Sequence, residues 1–445
     1  MALPLDGILK PMNIAIIGFG KEGQAAYDYW RDGNDITICD QNPELVVPEG
    51  VASHLGEGYL QNLEGFDFIV RSPYVRPDII IQANSPGIAD KITSSTNEFM
   101  RACPTRNIIG VTGTKGKGTT SSLITAMLKA AGKTVHLGGN IGVPALDLLK
   151  NDIQPDDYVV LELSSYQLID LQTSPHIAVC LMVVPEHLDW HADEAEYIAA
   201  KQQLFRNQFE QDIAVYYSAN VRSTTIAGVS LGTKIPYMEQ PGAYVENDEI
   251  TIGGQVICNV NELKLIGKHN WQNACAATTA VWQVTQDASA IKSALTSFSG
   301  LPFRIEFRKE VNGIRYFNDS FATGPGACLA AMEAIEGPKV MILGGYDRGL
   351  DLTELAEGIA AQGLNIRNAL IIGDSKERLA EVLRAHNLDN FVVSDARTMP
   401  DIVREAAALA QRGDAVVLSP GFASYGLFKN FEDRGEQFNA AVEAL

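Results

Sequence analysis

The sequence predicts an α/β chain folded into three domains, and three observations predict it. Its 445 residues exceed what one ordinary core holds and fit about three domains. Two glycine-rich turns, GFGKEG and GVTGTKGKGTT, each stand between a short apolar strand and a helical stretch. Short runs apolar enough to be buried on both faces, among them YVVLEL, IAVCLMVV, VMILGG and ALIIG, recur along the chain as they do in parallel sheets.

In order, NIAIIG reads as a strand, QAAYDYWRD as an amphipathic helix and DITICD as a second strand, a βαβ opening that assigns residues 1–102 to a first domain. NIIGVTGTKGKGTTSSLITAMLKAAG restarts the pattern and begins a central domain, residues 103–301. From about Asp212 to Val260 the segments AVYYSA, TKIPYM and AYVENDEITIGGQVI alternate and are broken by Gly, Asn and Pro, which reads as a small β-rich appendage. LIGKHNWQNACAATTAVWQV returns to helix. Past a joint at Leu301-Pro302, strands at VMILGG, ALIIG, FVVSD and AVVLSP form a third α/β domain, residues 302–445.

Composition narrows the function. The net charge of −19 argues against nucleic acid or an anionic membrane as partner, so any phosphate site must be local. Cys39, Cys103, Cys180, Cys258, Cys275 and Cys328 form no CxxC pair and read as reduced core thiols, which places the chain in the cytoplasm. Neither an export leader nor a membrane-length apolar run is read.

Two turns carry the chemistry. In GFGKEG, Gly18, Gly20 and Gly23 have dinucleotide-fingerprint spacing after a strand, and Asp40 ends the next strand, where an acid can bind a ribose. A diphosphate-bearing ligand fits this turn, although tight strand-to-helix packing alone can also require the glycines. In GVTGTKGKGTT, Gly110, Gly113, Gly116 and Lys117 form a phosphate loop without the usual Walker spacing. Gly118 occupies the usual hydroxyl position, which shifts the Mg²⁺ hydroxyl to Thr119, with Thr120 the alternative. Glu162, ending an apolar strand, suits a metal ligand, since a carboxylate there is costly unless paired. VVPEHLDWH supplies Glu186, His187, Asp189 and His191, and a position beyond a parallel strand's carboxyl end favours His187. By composition Lys201, in EYIAAKQQLFRN, reads as a solvated helical lysine.

Taken in order, GVTGTKGKGTT, GGNIGVPAL, LELSSYQL, EHLDWH with AAKQQLF, KHNWQNACAA, LPFR, NDSFAT, LGGYDR and LSPGFASYGLFKNFEDRGEQF resemble the Mur ligase family over essentially the whole chain. The closing segment separates it from folylpolyglutamate synthetases, whose loop also reads GKG. The resemblance implies Rossmann-like outer domains around a P-loop centre. It also implies an ATP-dependent ligase that joins glutamate, D-glutamate foremost, to UDP-N-acetylmuramoyl-L-alanine through an acyl phosphate, acting as a monomer.

By that resemblance, Gly113, Thr114, Lys115, Gly116, Lys117, Gly118, Thr119 and Thr120 bind ATP, with Asn270, Asn273, Arg304 and Asp319 around the nucleotide. Thr119 and Glu162 would hold one Mg²⁺ and His187 a second, supported by a CO₂-derived carbamate on Lys201. Gly18, Phe19, Gly20, Lys21, Glu22, Gly23, Asp40, Ser72 and Asn140 would bind the UDP precursor, and Thr323, Arg348, Ser424 and Phe431 the amino acid. Phe321, Gly324 and Phe303 depart from the family's usual lysine, asparagine and histidine, and Arg348 stands where some members have lysine. A ligase adding L-glutamate therefore stays open as an alternative. Two rivals of other classes are a nicotinamide-dependent oxidoreductase, suggested by Gly18, Gly20, Gly23 and Asp40, and a nucleotide-gated binding protein without turnover.

Overall fold

A computed structural model of the chain describes residues 11–265, 267–361 and 363–445. It divides into two compact units, one running to Glu262 and including Gln272–Thr296, the other combining Leu263–Trp271 with Ser297–Leu445.

The first unit contains two parallel sheets. Strands β1 (Asn13–Ile17), β2 (Asp35–Asp40), β3 (Ala52–Leu55), β4 (Phe68–Arg71) and β5 (Ile92–Ser94) lie in the order β3-β2-β1-β4-β5. Strand order reverses beside β1, so the turn after it, GFGKEG, opens at the switch point where such sheets take ligands. The next strands are β6 (Ile108–Thr112), β7 (Val135–Gly139), β8 (Tyr158–Glu162), β9 (Ile177–Cys180), β10 (Ile213–Tyr217) and β11 (Thr233–Tyr237). They form a second parallel sheet in the order β11-β10-β9-β6-β8-β7. Strands β6 and β9 are buried along their whole length, as their continuous apolar sequences require.

The β-rich appendage is smaller than the sequence suggested. Ile213–Tyr217 pairs in parallel with β9, its Ala214 and Val215 fully buried, and Thr233–Tyr237 pairs beside it, so both belong to the central sheet. Tyr and Thr break the apolar run there because these strands approach the sheet edge. Only β12 (Tyr244–Glu246), β13 (Glu249–Ile252) and β14 (Gln255–Asn259) form a separate antiparallel ribbon.

In the second unit, β15 (Glu306–Val311), β16 (Ile314–Asn318), β17 (Lys339–Gly344), β18 (Ile366–Ile372), β19 (Phe391–Val393) and β20 (Ala415–Leu418) form one sheet in the order β15-β16-β20-β17-β18-β19. It is parallel except for the β15–β16 hairpin. Apolar clusters cover both faces. All six cysteines are free, and five are fully buried. Among the described residues no helix is long and apolar enough to cross a membrane.

Candidate active site

In the central sheet the carboxyl ends of three adjacent strands, β9, β6 and β8, carry the His187 loop, the glycine loop and Glu162. The glycine loop is fixed by close approach. Gly113 has φ +150°, and a Cβ there would lie 2.7 Å from the Leu181 Cβ; Gly116 has φ +87°, and its Cβ would lie 2.3 Å from Asn273 Oδ1. Neither position tolerates a side chain. The helix Lys117–Ala130 starts without a side-chain cap, which leaves its first amides for an anion. Lys117 Nζ donates to the carbonyls of Gly113 (3.1 Å) and Thr114 (2.9 Å). Thr114 Oγ1 bonds Val184 and the Tyr197 hydroxyl, tying the loop to the helix that bears Lys201. Of the two candidate metal hydroxyls, Thr120 is fully buried with Oγ1 3.5 Å from Asn273 Oδ1, whereas Thr119 is half-buried at the helix start. Gly118 is buried and Lys115 exposed.

Glu162 is 4% exposed and pairs in register with Val111, next to the loop. Its Oε1 accepts a 2.7 Å bond from Asn140 Nδ2, while the Asn140 amide donates to the Glu162 carbonyl (2.8 Å). Asn140, read from the sequence as a precursor contact, is thus joined to the metal-type carboxylate. His187 takes a left-handed backbone (φ +60°), with its ring 5.0 Å from that of Tyr166. Burial, with Lys117 and Lys201 nearby, holds its pKa below the usual imidazole value against the opposing pull of Glu186.

Lys201 is not the solvated helical lysine that composition alone suggests. It is 2% exposed, donates to the Gly113 carbonyl (3.0 Å), approaches Thr112 Oγ1 (3.4 Å) and stands over the Tyr197 ring. Burial, reinforced by the Lys117 charge, lowers its pKa to about 7. The sequence hid this because the helix Glu194–Arg206 looks polar, while Tyr197, Ala200, Lys201 and Leu204 share its buried face.

No group of three or more His, Cys, Asp or Glu that could hold a metal occurs among the described residues. The nearby donors are one carboxylate, one hydroxyl and one imidazole from separate elements. The carboxylate and hydroxyl are hard oxygen donors that, with waters and phosphate oxygens, suit Mg²⁺, while the imidazole is a softer donor.

In the first sheet, Asp40 Oδ2 accepts from the Phe19 amide (2.8 Å) and Oδ1 from the Asn42 amide (2.9 Å), so the acid also shapes the glycine turn. A Cβ on Gly18 would lie 2.7 Å from the Ser72 Cβ, and one on Gly23 would lie 2.1 Å from the Gly18 carbonyl, whereas Gly20 faces open space. Lys21 lines a cleft of about 270 Å³ with Gly142, Val143 and Pro144. Glu22 Oε1 accepts from Gln167 (3.0 Å), its Oε2 is buried without a partner, and burial raises its pKa.

In the second unit, β16, β20 and β17 are adjacent, and the loops at their carboxyl ends bring together Asp319 with Thr323, Ser424, and Arg348. Asp319 is 5% exposed and accepts from Ser419 Oγ (2.6 Å) and the Ile305 amide (3.1 Å); burial pushes its pKa up to about 7. The Arg304 guanidinium lies 3.7 Å from the Phe321 ring centre, and Phe321 meets Phe431 edge-on at 4.9 Å. Phe321 therefore gives this arginine an aromatic platform. Arg348 Nη2 donates to the Thr323 carbonyl (3.2 Å), and Ser424 is buried. Asn270 is nearly buried, with its amide bonded to the Gly267 carbonyl (2.9 Å).

Arg434 was missed. Fully buried, it donates to Ser320 Oγ (2.9 Å) and to the carbonyls of Ser320 (2.8 Å) and Phe422 (3.1 Å), and Ser320 Oγ donates to the Phe431 carbonyl (2.8 Å). Its signal was present: in FEDRGEQF the arginine stands four residues before Phe438, on the apolar face of its helix.

The model of the Mur ligase middle domain matches residues 111–281, and that of the Mur ligase glutamate ligase domain matches residues 303–422. The chain is 34% identical to the UDP-N-acetylmuramoylalanine–D-glutamate ligase of Clostridium tetani over 100% of its own length and 94% of the relative's. It is 38% identical to that of Clostridium kluyveri over 98% of each. Among solved structures it is similar to UDP-N-acetylmuramate-alanine ligase of Thermotoga maritima (TM-score 0.59, 17% identity, 97% and 99% covered). It is also similar to the MurF ligase of the same organism in complex with ADP (TM-score 0.59, 17% identity, 98% and 96% covered).

Proposed function

Because the chain belongs to the Mur ligase family, we infer that it is an ATP-dependent amide ligase of peptidoglycan precursor synthesis, joining D-glutamate to UDP-N-acetylmuramoyl-L-alanine. Full-length agreement with relatives of that activity carries this reading. The phosphate loop, with Lys117 and Lys201 meeting at the Gly113 carbonyl, supplies its chemistry.

In the proposed reaction a precursor carboxylate oxygen attacks the γ-phosphorus of ATP and ADP leaves. The glutamate amine then attacks the acyl carbon, and the tetrahedral adduct expels phosphate and a proton. Such steps need positioning and charge neutralisation more than covalent help from the protein. Lys117 takes the γ-phosphate, with the amides from Gly113 to Thr120 around the phosphate chain. Thr119 and Glu162 would hold one Mg²⁺, with Asn140 orienting the carboxylate, and His187 would hold a second. Bound Mg²⁺ supplies neutralisation of phosphate charge.

With a pKa near neutrality, Lys201 offers a free amine that can add CO₂, forming an N–C bond and losing a proton to give a carbamate. Asn270, Asn273, Arg304 and Asp319 are the residues we propose to contact the nucleotide. Gly18, Phe19, Gly20, Lys21, Asp40 and Ser72 hold the UDP part of the precursor. Thr323, Arg348, Ser424 and Phe431 receive glutamate, Arg348 being able to bind a carboxylate bidentately. A cytoplasmic monomer fits this role.

The test is phosphate release and product formation with UDP-N-acetylmuramoyl-L-alanine, ATP and each glutamate enantiomer. D-glutamate-dependent ligation supports the reading, turnover with L-glutamate alone reassigns the amino acid, and release independent of the precursor removes the ligase reading.

A further inference from the structure

One strap of the first sheet, Arg71 to Arg76 in RSPYVRP, grips the central sheet at both of its metal-type segments. At its start, Arg71 is 1% exposed and donates to both carboxylate oxygens of Asp170 (2.6 and 2.5 Å) and to the Tyr166 carbonyl (3.0 Å), holding the chain that leaves Glu162. At its end, the Arg76 fork donates to both oxygens of Glu196 (2.9 Å each) and to the Trp190 carbonyl, with its guanidinium over the Trp190 ring at 5.3 Å. Trp190 Nε1 returns a 2.9 Å bond to the Tyr74 carbonyl of the strap. Glu196 also accepts from the Ala192 amide and contacts His191 Nδ1, so Arg76 braces the whole turn from residue 190 to 192.

That turn fixes His187. The amides of Trp190 (3.1 Å) and His191 (2.9 Å) both donate to the His187 carbonyl, while His187 itself holds a left-handed backbone. A non-glycine residue keeps that conformation only where its surroundings over-determine it. Here Arg76, through Trp190 and Glu196, does so. The same strap carries Ser72, which packs where a Cβ on Gly18 would fall.

We propose that Arg76 is a positioning residue for His187, and that the strap Arg71–Arg76 links the ligand state of the GFGKEG turn to the geometry of the phosphate-loop site. This rests on the reading that the turn holds the UDP part of the precursor. A ligand that settles the turn and Ser72 then also settles His187, and by reciprocity nucleotide at the phosphate loop tightens the turn's hold on UDP.

The test uses the full chain and UDP as probe, measured by calorimetry with and without a non-hydrolysable ATP analogue and Mg²⁺, alongside steady-state ligation. In the unaltered enzyme the analogue should tighten UDP binding about fivefold or more. Arg76→Ala should still bind UDP but lose that factor, and its kcat should fall about tenfold or more with the ATP KM little changed. Arg76→Lys, a point charge without the fork, should restore only part of both. Trp190→Phe keeps the ring under Arg76 but loses the bond to Tyr74; melting near the unaltered temperature, it should lose linkage in the same direction. A folded Arg76→Ala or Trp190→Phe enzyme with unchanged linkage and kcat overturns the proposal. An unaltered enzyme that ligates glutamate but shows no linkage also overturns it, whereas one that binds no UDP and ligates nothing removes the underlying precursor reading.

Discussion

The phosphate-loop site of the first unit and the Asp319 site of the second bury opposite charges by different means. The first is defined by backbone: glycines at close approach, bare amides at a helix start, and a lysine drawn under the loop by one of its carbonyls. The second is defined by side chains: Arg304 on Phe321, Phe321 against Phe431, and Arg434 holding Ser320 beneath them. The first site buries a cation, Lys201, as well as the carboxylate Glu162, and the second buries an anion, Asp319, near the cation Arg434; burial drives Lys201 and Asp319 toward neutrality. A backbone-built site suits a ligand that is all phosphate oxygens, whereas a side-chain-built site suits one recognised by shape.

The largest expected effect lies in the backbone-built site. Lys117→Ala should lower kcat by about a thousandfold or more, the scale of losing one charge clamp on a developing phosphate. Circular dichroism and melting temperature should stay near those of the unaltered protein, and near-normal turnover would remove Lys117 from the mechanism. Lys201→Ala should be nearly as damaging, with part of the activity returning on addition of formate or acetate, which can occupy the vacated space as a carboxylate. An Ala variant of normal activity would return Lys201 to a packing role.

The same contrast explains what the sequence disclosed. The glycine turns, the parallel strands and Glu162 were legible because local spacing dictates backbone shape and strand burial. Composition alone misses the burial of Lys201, which depends on the loop packed above it, while Tyr197 lies one helical turn away. The bond from Asn140 to Glu162 is not legible in the sequence, because the two residues stand 22 apart on different strand ends. Arg434 was unread because its acceptors, Ser320 and Phe422, lie on other segments. Arg434→Met should therefore strike stability first, by about 3 kcal/mol, since it strands buried carbonyls at once. A denaturant midpoint within error of the unaltered protein's would show that Arg434 is not the brace of that site.

The pH dependences separate the two sites by sign, because there they should move in opposite directions. Asp319 has a folded pKa of about 7 against an ordinary 3.8, so the folded state holds the proton more tightly than the unfolded state does. Its stabilisation is complete below about 3.8 and is lost as pH rises through about 7. Lys201 has a folded pKa of about 7 against 10.5, so the unfolded state binds the proton more tightly, and stability from this group grows as pH rises from about 7 toward 10.5. The two contributions therefore meet near neutrality with opposite slopes. Asp319→Asn, which keeps an acceptor for Ser419, should remove the downward slope between about 4 and 7, and Lys201→Met the upward slope above about 7. Both follow from denaturant midpoints across that range in buffer freed of CO₂, so that a carbamate on Lys201 does not intrude. If the Asp319→Asn profile parallels that of the unaltered chain from pH 4 to 7, this carboxyl titrates normally and the second site does not bury its charge as the first does.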